Sequence, residues 1–499
     1  MSGSAFYLSV ACVFKNESHL LKEFIEHNLF HGVDHLYMIN DMSSDDYSEV
    51  LTEYSDRITL YHNDIVTNDV NRQSMIYNKY LKPILGETQW LAVIDLDEFM
   101  YSPSEINLQT ILKKYEDSYD SLRVDWRVFG SNQCYYQPFS VVAGFNKYRD
   151  PEKAKREGTH SYKTVFKTQF LIDFGLHSHG LSSHRMCIPG DIIINHYQIQ
   201  SQDFYMRVKA TRGDATNYYD HIGIKRDLDF FIKNDDNTIV CDRLIEQNRA
   251  LTRLVKQRKV ESLTDNEVTV VITTCNRSHL LRVTLDSFLK FNTYPIKEFV
   301  IIEDSGKQGI NDFLLHEEQY KLYRFNLIYN SVNRGQVPSI DTAYEYVTTK
   351  YIFHCEEDWQ FKKAGFIEAS FEILNKEPEV FTVWLRPHNH TNGHPIDYSS
   401  KIDNYYRMAS RFTHEWRGKM HTWCGFTFNP GLRRTSDVLK FHPFCVNVEK
   451  NPLLGEVDEY IINTKYMELG YGAAITDVVD GYCDHIGALE HVPRSYEIQ

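Results

Sequence analysis

The chain has 499 residues, 42% hydrophobic and 14% aromatic, and a formal charge of -14. Length and apolar content suffice for more than one core, so two domains are expected. The negative charge, with no strongly basic segment to offset it, excludes a general nucleic-acid binder, whose phosphate contacts need Lys and Arg. The N-terminal stretch MSGSAFYLSVACVF lacks the basic start, long apolar core and cleavage site of a secretory signal and reads as a first strand. No stretch approaches the roughly 20 apolar residues that span a membrane. Nine cysteines without CxxC pairs or regular spacing read as reduced, mostly buried thiols. Asn16 and Asn276 each begin an Asn-x-Ser sequon inside a motif, where a glycan would obstruct a site. A cytoplasmic protein with no transmembrane segment is the expectation.

The first strand, Tyr7 to Phe14, runs into Lys15, Asn16 and Glu17, after which Leu20, Leu21, Phe24, Ile25 and Leu29 recur at helical spacing up to Gly32. A second strand, Leu36 to Ile39, ends in Asn40, Asp41 and the polar loop MSSDD. Asp41 at that edge can accept a hydrogen bond from the N3–H of a uracil ring, or it can cap the turn. Val70-Asn71-Arg72 opens a helix-like stretch to Leu85, and the most informative segment follows: Trp90 to Phe99, WLAVIDLDEF. Leu91 to Ile94 reads as a strand buried on both faces, and strand ends are where an open α/β sheet places its ligand crevice. Asp95 and Asp97, one residue apart, can approach one hard cation from the same side and leave its other positions to water and phosphate oxygens. The plain alternative is a strand end carrying solvated acids. Beyond it lie WRVFG at 126–130, a Lys/Arg-rich loop near 146–156, SYKTVFK at 161–167, three histidines at 177, 179 and 184, a strand-like stretch from Asp191 leading to His196-Tyr197, and a basic segment from Arg207 to Arg212. Residues 226–259 read as mostly helical and end in KQRKVESLTDNE, a linker.

After the linker the pattern begins again. Val268 to Ile272 is a β-branched strand that ends in TTCNR before a helix starting SHLL, where the first half reads NESHLL. Asn16/Asn276, Asp41/Asp304, Asn71/Asn333 and Asp97/Asp358 recur in order with separations of 260, 263, 262 and 261 residues. Collinear marks of this kind point to two copies of one architecture. The second acidic motif lies in KYIFHCEEDWQF and comprises Glu356, Glu357 and Asp358. The copies diverge after the acids, His196 lying 99 residues past Asp97 and His485 lying 127 past Asp358. The domain expectation is 1–245, a helical linker at 246–266, and 267–499.

The first half, through KNESHLLKEFIEHNLFHGVDHLYMINDMSSDD, IDLDEF, WRVFG and NHYQIQSQDF, resembles glycosyltransferase family 92 and its family 2 relatives. The second half resembles family 2 through VVITTCNRSHLLRVTLDSF, VIIEDSG, NRGQVPSIDTAYEYVTTKYIFHCEEDW and DHIG, with Glu356-Glu357-Asp358 in place of two aspartates around one residue. The resemblance implies an α/β fold of two tandem GT-A domains, Rossmann-like nucleotide-diphospho-sugar transferases. It implies inverting transfer of a sugar from a UDP-sugar to a hydroxyl of a glycan or glycoconjugate, with Mn2+ or Mg2+ bridging the diphosphate and the acids. The metal set it implies is Asp97 with Asp95 and His196 in the first site, and Asp358 with Glu356 and His485 in the second. Donor-binding positions are Asn16, Asp41, Arg72 and Asp95, then Asn276, Asp304, Arg334 and Glu356. In LGEVDEYI the resemblance points to a carboxylate base, Asp458 first, with Glu456 and Glu459 as substitutes; an acid-rich helix start is equally explained by its dipole. The first half offers only His177, His179, Asp173 and Asp191. Lys163 and the segment 209–212 fit a diphosphate or a solvated face, and Trp359, Trp384 and Trp423 fit sugar stacking or core packing. Two alternatives stand beside the bifunctional reading: one catalytic domain with a degenerate donor-binding partner, and a sugar-nucleotide-binding protein without turnover.

Overall fold

Seven consecutive buried residues, Leu8 to Phe14, end the first strand. Such a run is stable only where neighbours pair on both edges and layers cover both faces. The computed structural model describes residues 4–67, 69–211, 226–416, 419–448 and 457–487, and the chain divides into two units, Met1–Val255 and Lys256–Gln499. The division falls inside a helix, Arg249–Glu261, where the sequence reads as a linker.

In the first unit the strands are β1 (Phe6–Phe14), β2 (His35–Asn40), β3 (Ile58–His62), β4 (Thr88–Val93), β5 (Glu98–Tyr101), β6 (Ser121–Val128), β7 (Tyr162–Lys167) and β8 (Ile193–His196). The main sheet runs β3-β2-β1-β4-β7-β6-β8-β5. Its first four strands are parallel. β7 is antiparallel to both β4 and β6, and β8 is parallel to β6 and antiparallel to β5. The helix α1 (Ser18–Phe30) buries Leu20, Leu21, Phe24 and Ile25, the positions its apolar spacing selects. Asn16, at the turn between β1 and α1, has φ 53°, a left-handed conformation that Asn tolerates better than most residues.

The second unit repeats this plan. Its strands include β9 (Val268–Thr274), β10 (Ile296–Glu303), β11 (Phe325–Tyr329), β12 (Tyr351–Glu356), β13 (Trp359–Phe361), β14 (Gly431–Arg434) and β15 (Cys483–His485). The sheet order is β11-β10-β9-β12-β14, four parallel strands and then an antiparallel one, as in the first unit. β9 splits its side chains between two cores: Val270 and Ile272 pack with Leu281, Leu285 and Phe288 of α2 (Ser278–Phe291), whereas Val271 packs with Val300, Ile340 and Ile352. Asn276 sits at the turn before α2 with φ 57°, the counterpart of Asn16. Both switch points open at the ends of the parallel strands, so the acidic motifs of both units face the crevice that this topology creates. Among the described residues no helix is long and apolar enough to cross a membrane.

One buried charge in the second unit has no such function. Glu298 on β10 is 2% exposed, its Oε1 has no partner, and burial pushes its carboxyl up to about 7 against the pull of Lys297 and Arg324. The folded state therefore holds a proton that the unfolded chain releases at lower pH, and stability falls as pH rises from about 4.5 to about 7, by ~1.4 kcal/mol per pH unit within that window. Glu298→Gln removes this dependence, and denaturant midpoints of variant and parent are expected to diverge above about pH 5 in favour of the variant.

Candidate active sites

Each acidic motif is a strand end. In the first unit β4 stops at Val93, Ile94 N donates to the Ala11 carbonyl at 3.0 Å, and the chain turns through Asp95, Leu96 and Asp97 into β5. β5 pairs antiparallel with β8, with Glu98 opposite His196, and Tyr197 N donates to the Asp97 carbonyl at 2.9 Å. That register brings His196 Nε2 to 3.4 Å from Asp97 Oδ1. In the second unit β13 pairs antiparallel with β15, Trp359 stands opposite His485, and Ile486 N donates to the Asp358 carbonyl at 2.9 Å. His485 Nε2 lies 3.3 Å from Asp358 Oδ2. The residue after the last aspartate thus faces the late histidine in both units, by the same pairing and the same backbone bond.

Asp97, Glu98, Glu357 and Asp358 are buried, so each cluster needs positive charge beside it. In the first unit Lys209, on the π-helical turn Tyr205–Lys209, contacts Asp97 Oδ2, donates to the Gln198 carbonyl at 2.6 Å and lies 3.8 Å from Glu17. Lys163 on β7 is 2.9 Å from Asp95 and 3.7 Å from Glu98. Burial pushes the Asp97 carboxyl up, but Lys209 and His196 outweigh it and hold it well below the carboxylate range. Glu98, wholly buried, is pushed well up by burial, which Lys163 only partly opposes. In the second unit Arg277 takes the part of Lys209: its Nε is 2.8 Å from Glu357 and its Nη1 is 3.0 Å from Asp358. Burial raises Asp358, and His485 with Arg277 more than reverses this. Sequence reasoning gave Arg277 no role in the site and offered Lys209 only as one member of a basic segment. The one sign of the exchange is charge inversion in the paired motifs, Glu17 in NES against Arg277 in NRS.

Asp41 and Asp304, matched in the sequence, are also held in equivalent ways. Asp41 Oδ1 accepts from Arg72 Nη2 at 2.6 Å and Asn63 Nδ2 at 2.8 Å, and Oδ2 accepts from Arg72 Nη1 at 2.9 Å. Asp304 Oδ1 accepts from Asn330 Nδ2 at 2.6 Å and Arg334 N at 2.8 Å, and Oδ2 accepts from Gly335 N at 2.8 Å. Each carboxylate thus has two bonds on Oδ1 and one on Oδ2, which leaves Oδ2 room for one more donor. Arg72, an expected donor-binding position, is wholly buried, and its guanidinium bonds Asp41 and the Ile65 carbonyl. Arg334 is exposed, and its side chain reaches Thr342 while its backbone serves Asp304. Asn16 Oδ1 accepts from Ser44 N at 2.7 Å, and Asn276 Oδ1 accepts from Lys307 Nζ at 2.7 Å. Asn63 and Asn330 are a further matched pair that sequence reading missed, since the spacing between them and their aspartates differs between the halves.

In the segment expected to supply a base, Asp458 caps α3 (Glu459–Glu468) by accepting from Ile461 N at 3.0 Å. Glu459 accepts from Phe428 N at 2.5 Å and is pushed up by burial, against opposing pulls from that bond, Arg386 and Arg433. Its charge is felt by Glu356, which burial together with Asp358, Glu459 and Glu357 pushes up to about 8. Glu356 Oε1 accepts from Gln336 at 2.7 Å. Glu456 lies outside the described residues. Among the first-unit candidates, the His177 ring packs 5.3 Å from Trp126, whose ring is 4.3 Å from His196, whereas Asp191 is held by Tyr115 at 2.8 Å. Asp173 is exposed, and burial pushes His179 down to about 3. Among the described residues no three His, Cys, Asp or Glu side chains gather tightly enough to hold a metal by themselves. The pairs Asp97/His196 and Asp358/His485 do fit a shared cation, and Asp358 Oδ1 is buried with no partner.

Residues 4–229 match the family model Glycosyltransferase family 92, and residues 269–435 match Glycosyl transferase family 2. The chain carries two glycosyltransferase domains in tandem. A family 92 protein of Ricinus communis is 25% identical over 227 residues, which cover 42% of this chain and 39% of that relative. The chain therefore spans well under half the length of the curated relative it matches. Among solved structures, the mannosyltransferase PcManGT of Pyrobaculum calidifontis, in complex with GDP-Man and Mn2+, has a TM-score of 0.32 at 15% identity, covering 50% of this chain and 67% of its own. TarS of S. aureus has a TM-score of 0.31 at 15% identity, covering 44% and 36%. The units matched by the family 92 and family 2 models are both α/β domains built on four parallel strands and an antiparallel fifth.

The family 92 unit depends on the Asp41–Arg72 pair, both side chains 0–1% exposed. Arg72→Ala leaves an unpaired buried carboxylate and is expected to destabilise this unit by about 3–5 kcal/mol. Thermal unfolding of the full chain checks this, with Arg72→Lys recovering only part of the loss because it cannot form the bidentate contact.

Proposed function

We propose that the chain is a bifunctional inverting glycosyltransferase that moves sugars from UDP-sugar donors to hydroxyls of a glycan or glycoconjugate, one transfer in each unit. The observation that carries this reading is the shared register, Glu98 opposite His196 and Trp359 opposite His485, which sets an imidazole within 3.4 Å of an aspartate in both units. A site kept only for binding has no need of that pairing twice. Retention of the Asp41 and Asp304 geometry, each with one free acceptor position toward a base N–H, supports nucleotide donors in both.

When bound, Mn2+ or Mg2+ supplies Lewis-acid neutralisation of the departing diphosphate. Asp97 and His196 would hold it in the first unit and Asp358 and His485 in the second, with Asp95 and Glu356 alongside, and the imidazole favours Mn2+. Lys209 and Arg277 contribute fixed positive charge at the same place. In the family 2 unit Glu459 accepts the proton of the acceptor hydroxyl. Burial gives it the raised proton affinity a base needs, and Glu356 of the acid motif feels its charge. Asp458 serves as the cap that orients the helix carrying Glu459. Work in the cytoplasm accords with this reading.

UDP release from a panel of UDP-sugars with Mn2+, measured on the full chain, tests the proposal. Asp97→Ala is expected to abolish one donor's turnover and Asp358→Ala the other's. Loss of both with either variant would leave one catalytic unit and one scaffold, and retention of both would remove the acids from the chemistry. Glu459→Gln is expected to preserve UDP binding and lower second-unit transfer by about 10²–10⁴-fold. Unchanged turnover would exclude Glu459 as the base.

A further inference from the structure

Arg386 follows the strand Val380–Trp384 by two residues and is 3% exposed. Its guanidinium carbon lies 5.1 Å from the ring centre of Trp359 and 5.1 Å from that of Trp384, so indoles flank it. Nη1 donates to the His390 carbonyl at 3.1 Å, and Nε is buried without a hydrogen-bond partner. Among the described residues the other buried arginines make more bonds: Arg72 has Asp41, and Arg433, whose Nε is also without a hydrogen-bond partner, places one terminal nitrogen on Tyr344 and the other on the Thr427 carbonyl. Among the described residues no carboxylate comes within ion-pair distance of Arg386. Burial disfavours its charge, and Cys483, Glu459 and Glu356 oppose this at longer range.

A buried guanidinium with unused donors is costly unless an anion completes it. Its surroundings connect it to the site. Trp359, on whose face it lies, donates from Nε1 to Glu356 Oε2 at 3.4 Å and packs 5.0 Å from the His485 ring. We propose that Arg386 is an anion-binding residue of the second unit, receiving a phosphate or carboxylate group of the substrate through its planar donor edge. This rests on the reading of that unit as a transfer site. The same chemistry has two sources, the diphosphate of the nucleotide donor and an acidic group on the acceptor.

The flanking indoles make tryptophan fluorescence a local reporter. The full chain and its Arg386→Met variant are titrated with UDP, uridine and inorganic phosphate, with calorimetry in parallel. If the anion is the donor's, UDP binding weakens roughly tenfold or more in the variant while uridine binding is unchanged. If it is the acceptor's, UDP binding is unchanged and the fluorescence response to phosphate is lost. A folded variant that binds UDP and phosphate as the parent does overturns the proposal and leaves Arg386 as a packing cation. Should Arg386→Met fail to fold, Arg386→Lys, which keeps charge and loses the planar edge, is read by the same criteria. A parent chain that binds no UDP, yet loses a phosphate response on substitution, sinks the transferase reading and keeps the anion site.

Discussion

Both units depend on one pairing, in which the short strand leaving the acidic motif runs antiparallel to the strand carrying a histidine 99 or 127 residues later. The parallel sheet alone delivers the acids to an open edge but offers nothing to face them. Pairing supplies the second wall and, because strand register is discrete, sets the histidine opposite one residue and no other. The bonds from Tyr197 N to the Asp97 carbonyl and from Ile486 N to the Asp358 carbonyl lock that register at the backbone of the aspartate itself.

Charge follows from burial. Once the crevice is walled, three or four carboxylates share a poorly solvated space, and uncompensated they would drive each other to the protonated form. The two units meet this with different residues from different elements. The first uses lysines from β7 and from the late π-helical turn, and the second uses an arginine from the first strand–helix turn. The outcome is the same in kind, an aspartate beside the histidine held ionised while a neighbouring acid, Glu98 or Glu356, is pushed toward its neutral form. Arg386 is the exception, a buried cation near the acids without a partner of its own.

Repetition made much of this legible. Strands buried on both faces leave long apolar runs, the turns after them leave Asn at matched left-handed positions, and the acids stand at strand ends, so the half-and-half architecture is written in local pattern. The burial of Arg72 is not legible locally, because it follows from Asp41, 31 residues away in sequence. Asp458 and Glu459 are adjacent acids that composition cannot tell apart. Helix geometry separates them, turning one to cap the first turn and sending the other inward to Phe428 N.

The sequence by itself determined the two α/β copies, the order of their marks and the acids that end their central strands, because those features arise from hydrophobic periodicity and turn chemistry within a few residues. The tertiary structure alone decided which cation meets which carboxylate, which of two adjacent acids reaches Phe428 N, and that Arg386 stands between two indoles with donors to spare. Those are contacts between segments tens to more than a hundred residues apart, and their energy depends on burial, a property of the assembled fold that no local stretch carries.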